Sequence, residues 1–394
     1  MKKSCPWNTV VFFKQIKDDI ENNCELGSNV VNHVKTVEET KLDECRDKIV
    51  EYESKLNDGT NWEYYKKIVN PFEIVYTPKK YNNFPESICR LKPLSRSYFK
   101  MIEIMDIIHF FKNVDKNIST AHVCEGPGGF IEALLDEALK NECIISKSMA
   151  MTLYSDKHNI PGWKRASHFL KKNSNVNIIY GDGTGDIMKV ENQQYFIDMS
   201  EKSMIFTADG GFDFSYDYMK QEQLIFPLLV ASTRIGLEVI KKGGVFILKL
   251  IDFYCKGTCD LLYILSVHFE EWTLYKPGMS RPCNPEYYFI GTGFLGCSEQ
   301  ILDMFRLWCN YLEDGKPLGS LYTKEYTPEF TSIIRNLQEN SFNSQMEYLE
   351  RVFYLINQDD DTIIDKYLKN NEKNSYEWCQ RFNMPIYNRY LTEV

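Results

Sequence analysis

Three short stretches of this chain carry residue types that can do chemistry. Ala121 to Phe130 reads AHVCEGPGGF, an apolar run that meets an acid and then a glycine-rich turn. Asp209 follows in TADGGF, and Lys249 interrupts the apolar run VFILKL. A carboxylate at the mouth of a glycine turn can accept hydrogen bonds from hydroxyls or amines, while the glycines let the backbone approach a ligand. Glu125 is the candidate acceptor, and Gly126, Gly128 and Gly129 are the candidates for close approach. A turn this short fits a purely structural β–α connection equally well. Lys249 is costly inside an apolar strand unless it is paired or functional, the alternative being an edge position from which its amine reaches water.

The turn has to sit between a buried strand and the helix IEALLDEAL, the order found in open α/β sheets whose ligands lie at the carboxyl ends of the strands. Residues 144–153 read as a second strand and 177–180 as a third, running into GDGTGDI. Asp182 and Asp186 there can bond an adenine amino group or a ribose, or merely shape an Asp/Gly turn. A strand at 204–207, a helix over 218–241, the strand around Lys249, and strands at 271–275 and 287–294 complete a doubly wound pattern. A helix over 97–112 carries Lys100 near its start. Three- and four-residue spacing predicts amphipathic helices over 8–23 and 40–57, the acidic stretch 38–51 being a solvated helix face. Further helices are expected at EQILDMFRLWCNYL and FNSQMEYLERVFYLINQ, with Asp359 to Asp361 at a helix boundary. The chain thus divides into a helical N-terminal extension (1–61), a catalytic domain (62–298) and a helical C-terminal extension (299–394).

The 394 residues can bury a full core and contain no apolar run long enough to span a membrane. The N-terminal apolar patch is broken by Lys14 and lacks a small-residue cleavage site, which argues against a signal peptide. Twelve cysteines are scattered without CxxC pairs or zinc spacing, so no metal is expected; free thiols point to a reducing, intracellular setting. A net charge of −9 excludes a non-specific nucleic-acid coat but leaves room for a local basic groove. Residues 62–100 supply one: eight cations against three acids, interleaved with aromatics such as Trp62, Tyr65 and Phe72. That mixture suits phosphate neutralisation beside stacking platforms. An ordinary basic surface has the same composition.

Taken together, EGPGGF, GDGTGDI, TADGGFDFS, GGVFILKLIDFY and SRPCNPEYYFIGTGF resemble the RrmJ/FtsJ-type ribose 2′-O-methyltransferases, in the branch that methylates mRNA caps. NPFEIVYTP and LSRSYFKMIEI fit the same branch, so the likeness spans about Trp62 to Phe294. The resemblance implies a Rossmann-like sheet, S-adenosylmethionine as cofactor and capped RNA as partner. It places a catalytic Lys-Asp-Lys-Glu tetrad on Lys100, Asp209, Lys249 and Glu286. The cofactor turn falls on Cys124, Glu125, Gly126, Pro127, Gly128, Gly129 and Phe130, and the adenosine side on Asp186 and Ile187, with Asp182 a rival. Lys79, Lys80, Arg90, Arg96 and Arg281 are the candidate RNA contacts. The C-terminal segment either packs on the catalytic domain or binds a protein partner. An Asn-, Lys- and Tyr-rich style fits an AT-rich genome, such as a large DNA virus; the expected location is cytoplasmic (a virus factory or virion), or nuclear in a cellular host.

A ribose hydroxyl is a poor nucleophile until deprotonated, and a lysine serves as base only if desolvation or a nearby cation lowers its pKa. Lys249, with Lys100 opposite, has both influences available, while Asp209 and Glu286 would orient the amines. Two other classes share these motifs: a methyltransferase of ribosomal or transfer RNA, and a catalytically silent RNA-binding relative.

Overall fold

The structure, a computed structural model, describes residues 6–27, 36–54, 56, 61–77, 84–112, 114–154, 162–211, 220–358 and 360–390. The chain opens with β1 (Phe13–Lys14), β2 (Cys24–Gly27), α1 (Val37–Glu53), α2 (Trp62–Ile68) and α3 (Ser97–Ile107). The alternating core follows: β3 (Asn117–Val123), α4 (Gly129–Lys140), β4 (Ile144–Met151), α5 (Ser167–Lys172), β5 (Val176–Ile178), α6 (Val190–Met199), β6 (Ser203–Ala208) and α7 (Gln221–Val239). It continues with β7 (Ile240–Ile251), α8 (Lys256–Val267), β8 (Phe269–Tyr275) and β9 (Glu286–Phe294). The chain ends with α9 (Glu299–Glu313), β10 (Ser320–Tyr322), α10 (Pro328–Gln358) and α11 (Asp361–Arg381). None of the described helices is long and apolar enough to cross a membrane.

Eight strands make one sheet in the order β1-β8-β9-β7-β6-β3-β4-β5, and β10 pairs with β2 in a small second sheet. From β7 to β5 the neighbours are parallel, while β9 runs antiparallel to both β7 and β8. The chain moves outward from β3 to β4 and β5, then returns to the other side of β3 with β6 and β7. That reversal opens a crevice between β3 and β6 at the strands' carboxyl ends, where ligands bind in such sheets.

Side chains alternate across β7. Phe246 and Leu248 join the core beneath α7, α8 and α9, whereas Val245 and Ile247 join the core beneath α3 and α4. The two-residue period therefore puts Lys249 on the α3 face. α10 and α11 share this second core through Leu349, Val352 and Trp378, together with Leu42 of α1 and Trp62 of α2. The terminal segments are thus packed into the catalytic unit.

Two expectations for the N-terminal extension need correction. Residues 8–23 are not an amphipathic helix. Phe13 and Lys14 pair with Trp272 and Glu271, making β1 the edge of the sheet, and Ile16 and Ile20 are buried as the extended chain continues. The segment covers the exposed edge of β8, which would otherwise leave backbone groups unpaired. The acidic face of α1 is not wholly solvated either. Glu39 is buried, and it caps the helix reciprocally with Thr36 (Thr36 N to Glu39 Oε2, 2.8 Å; Glu39 N to Thr36 Oγ1, 3.2 Å).

Candidate active site

β3 delivers the glycine turn to the crevice. Cys124 takes a left-handed conformation (φ 58°), Glu125 follows it inward, and the chain passes a cis Gly126–Pro127 bond into Gly128 at φ 107°. Gly128 needs its freedom at that angle, because a side chain there would be strained. Gly129 is required for a different reason. A Cβ there would lie 2.3 Å from Ser95 Oγ and Ser97 Oγ and 2.9 Å from Tyr98 N, so α4 and the start of α3 approach closely at this residue. A Cβ on Gly126 would likewise meet the backbone of Gly162 at 2.7 Å. Phe130 is fully buried with its ring 5.8 Å from that of Tyr288.

Glu125 is the polar feature of the turn. It is 3% exposed; one oxygen accepts from Thr207 Oγ1, while Oε2 has no partner among the described residues. Burial, reinforced by the negative charge of Asp209, holds its pKa well above the carboxylate range. An orphaned buried acceptor suits a ligand that donates a hydrogen bond. Burial also pushes the Cys124 thiol up to about 12, which keeps it a neutral packing group.

The GDGTGDI loop separates its two acids. Asp182 is spent locally: it accepts from Thr184 N and Oγ1 (3.0 and 2.6 Å) and from Asn192 Nδ2 (2.9 Å), and it pairs with Lys189. Among the described residues the Asp186 carboxylate accepts only from Met188 N (2.9 Å), through Oδ1. Its second oxygen is the better candidate for a ligand hydroxyl or amine. Ile187 is buried beside it. This loop and the glycine turn meet at Thr152, whose Oγ1 accepts from Gly126 N (3.4 Å) and whose carbonyl lies against Gly185.

Four charged side chains converge from separate elements on the α3 face. Lys100 Nζ of α3 donates to Glu286 Oε1 at the start of β9 (2.6 Å). Lys249 Nζ donates to the Asp209 carbonyl (2.8 Å) and lies 3.2 Å from Asp209 Oδ1, just beyond β6. Tyr288 ties the two pairs together: its hydroxyl donates to Asp209 Oδ1 (2.8 Å) and accepts from Lys100 Nζ (3.4 Å). Ser280 donates its hydroxyl to Glu286 Oε1 as well. Tyr288 and Ser280 were not among the sequence candidates. The signal for Tyr288 was available, since PEYYFIG alternates and puts it on the face of Glu286, directly across from Lys249.

The charge states differ from the sequence expectation. Burial works against the Lys249 ammonium, but the carboxylates of Asp209 and Glu286 outweigh it and hold the pKa above that of an ordinary lysine. Burial also opposes the Glu286 carboxylate, yet Lys100 and Lys249 win and bring it down to about 2. The expected lowering of Lys249 by Lys100 is thus overridden, because the nearest charges to the amine are negative.

Two candidate RNA contacts prove to be internal braces. Arg96 donates to the carbonyls of Met279 (3.0 Å), Tyr76 (3.1 Å), Glu73 and Phe72 (both 3.4 Å) and pairs with the buried Glu73 carboxylate (3.4 Å). Arg281 pairs with Glu73 (3.0 Å) and Glu63 (3.2 Å). Arg90 is exposed and lines a small pocket with Tyr387 and Arg389. Lys79 and Lys80 lie outside the described residues.

Comparison with known proteins agrees with this arrangement. The chain is 28% identical over 223 residues to the cap-specific mRNA (nucleoside-2′-O-)-methyltransferase 1 of Trypanosoma cruzi (strain CL Brener), covering 54% of this chain and 59% of that protein. It is 28% identical over 235 residues to the cap-specific mRNA (nucleoside-2′-O-)-methyltransferase 2 of Danio rerio, covering 54% and 29%. To the probable methyltransferase EP424R of African swine fever virus (isolate Pig/Kenya/KEN-50/1950) it is 29% identical over 233 residues, covering 53% and 52%. The chain therefore spans between about a third and three fifths of the length of these relatives. Residues 93–294 match the model of the FtsJ-like methyltransferase family, a span that includes the glycine turn, both acidic loops and all four charged residues, and the chain belongs to that family.

Proposed function

We propose that the protein transfers a methyl group from S-adenosylmethionine to a ribose 2′-hydroxyl of RNA, at the cap-proximal nucleotide of mRNA. The observation that carries this reading is the convergence of Lys100, Asp209, Lys249 and Glu286 beside the glycine turn. The names of the Trypanosoma and Danio relatives support the cap as the acceptor.

The residues fit the cofactor. The orphaned Glu125 Oε2 and the unspent Asp186 oxygen are acceptors for its amine and hydroxyl groups at the crevice between β3 and β6. Bound there, the cofactor supplies an electrophilic methyl sulfonium. What remains for the chain is to hold the attacking oxygen in line and take its proton. Lys249 is the proton acceptor: it is the amine nearest Asp209, on a strand that fixes its position. Because neighbouring carboxylates hold its proton at neutral pH, the active form is the minor one, and the rate rises as pH rises. Asp209 aims the Lys249 amine, Glu286 aims that of Lys100, and Tyr288 keeps the two pairs in register. Arg90, with Lys79 and Lys80, remains the proposed contact with RNA phosphates.

Incubation with methyl-labelled S-adenosylmethionine and short capped or uncapped RNAs, followed by nuclease mapping, tests the reading. Label on the 2′-oxygen next to the cap is expected, with little transfer to uncapped RNA. Label appearing instead on ribosomal or transfer RNA would overturn the cap assignment. Cofactor binding without transfer to any RNA would make the protein a silent relative.

A further inference from the structure

The loop between β8 and β9 supports the catalytic cluster from behind. Lys276 Nζ donates to the Glu286 carbonyl (3.1 Å), and the Ser280 hydroxyl to its carboxylate. The other side of this loop is the floor of a groove of about 1040 Å³, walled by Tyr348 and Arg351 of α10 and by Lys373 and Asn374 of α11. Both helices lie outside the span that matches the family.

The lining has a definite chemistry. Arg351 and Lys373 stand on the walls beside one lining carboxylate, Glu377, while the Lys276 ammonium in the floor is held by the carbonyls of Asn284 (2.5 Å) and Glu286 (3.1 Å). Phe72 and Tyr348 are buried at its base, Phe72 against the Trp7 ring (5.4 Å) and Tyr348 beneath the Arg351 guanidinium (4.9 Å), which also pairs with Glu347. The side chains of Asn370, Lys373 and Asn374 make no hydrogen bond or ion pair among the described residues. Cations for phosphates and unspent amides for base edges are what a single strand of nucleic acid requires. The volume reaches the upper end of small-molecule pockets, roughly 300–1,000 Å³, and the groove ends one residue layer from Glu286.

We propose that this groove holds the single-stranded RNA that continues beyond the methylated nucleotide, so that the C-terminal helices form the second wall of the substrate channel. The inference rests on the reading of the protein as an RNA 2′-O-methyltransferase. RNA is favoured over a protein partner because the groove begins at Ser280, a donor to Glu286, and its unspent donors are a lysine and two amides.

The test is the paired charge reversal Arg351→Glu with Lys373→Glu, assayed on a capped trinucleotide and on a capped RNA of about a dozen nucleotides. KM for the longer RNA should rise about tenfold or more and the slope of log KM against log salt should fall by about one to two. Turnover of the trinucleotide should be unchanged, which also shows that the variant is folded. An unchanged KM and salt slope on the longer RNA would overturn the proposal and leave the groove to a protein partner. If the unaltered protein methylates neither RNA, the functional reading itself fails, and the groove assignment falls with it.

Discussion

α3 carries two side chains, one helical turn apart, that lead to two differently built buried carboxylates. Lys100 reaches Glu286, which burial alone would keep neutral but which two ammonium groups bring down to about 2. Glu103 is fully buried, against 12% exposure of the Glu286 side chain, and among the described residues it receives only neutral donors: Tyr275 OH (2.7 Å), Trp378 Nε1 (2.8 Å), Gly278 N (2.7 Å) and Met279 N (3.0 Å). Burial dominates there and lifts its carboxyl to about 7. The charge of the partner, not the depth of burial, decides the state of each acid. The catalytic cluster is held by full charges that balance one another. The clasp behind it is held by dipoles, and it joins α3, the β8–β9 loop and α11. Under the proposed function, one region handles a proton and the other keeps the elements still.

The largest test of that division is Lys249→Ala, which should lower turnover by at least ~10³-fold while S-adenosylmethionine affinity, read by calorimetry, is retained. Lys249→Arg should not rescue it, because a guanidinium keeps its proton. Substantial activity in Lys249→Arg would make Lys249 a positioning cation and erase the distinction drawn for the cluster. The wild-type rate should keep climbing with pH through the alkaline range, since nearby carboxylates raise the lysine pKa. A plateau near neutrality would show that the amine is already unprotonated there. Next in size, Lys100→Ala and Glu286→Gln should each cost about 10²-fold in kcat, and the double variant little more, because the two act as one pair. Additive losses would mean that they work separately. Tyr288→Phe should cost about tenfold: it removes one donor from Asp209, which keeps Lys249.

Much of the sheet could be read from the chain because its strands are short apolar runs punctuated by glycine and acid. The two-residue alternation even places Lys249 on the correct face. The pairing of Lys100 with Glu286 is not local: it spans 186 positions and exists only after the sheet is assembled. For the same reason Arg96 and Arg281 read as a basic surface. Their partner Glu73 lies 208 positions from Arg281, so sequence composition counts the charges without cancelling them. Residues 8–23 misled through periodicity, because burying Ile16 and Ile20 satisfies an extended edge segment as well as a helix. The glycine turn read as a ligand cradle has a packing role that the sequence did not show: Gly129 lets the start of α3 lie against α4.

The smallest expected effect on activity comes from Glu103→Gln, and its value lies in its pH signature. Glu286 has a folded pKa depressed from 4.5 to about 2, so its contribution to stability is present above the unfolded value and is lost as pH falls through about 2. Glu103 has the opposite sign. Its folded pKa is raised from 4.5 to about 7, so its favourable contribution is present below the unfolded value and is lost as pH rises through about 7. Denaturation midpoints of the wild type should therefore carry a rising component from pH 2 to 4.5 and a falling one from 4.5 to 7. Glu103→Gln should shrink only the falling limb, which it shares with Glu222, lifted to about 7 by burial and then by the charge of Asp252; it should lower stability by about 1–3 kcal/mol because its amide turns donors toward donors, and leave kcat within about twofold. Glu286→Gln should flatten only the rising limb while nearly abolishing turnover. If Glu103→Gln instead lowered kcat as severely as Glu286→Gln, with the neutral limb intact, the clasp would belong to the catalytic machinery, and charge against dipole would no longer separate the two regions.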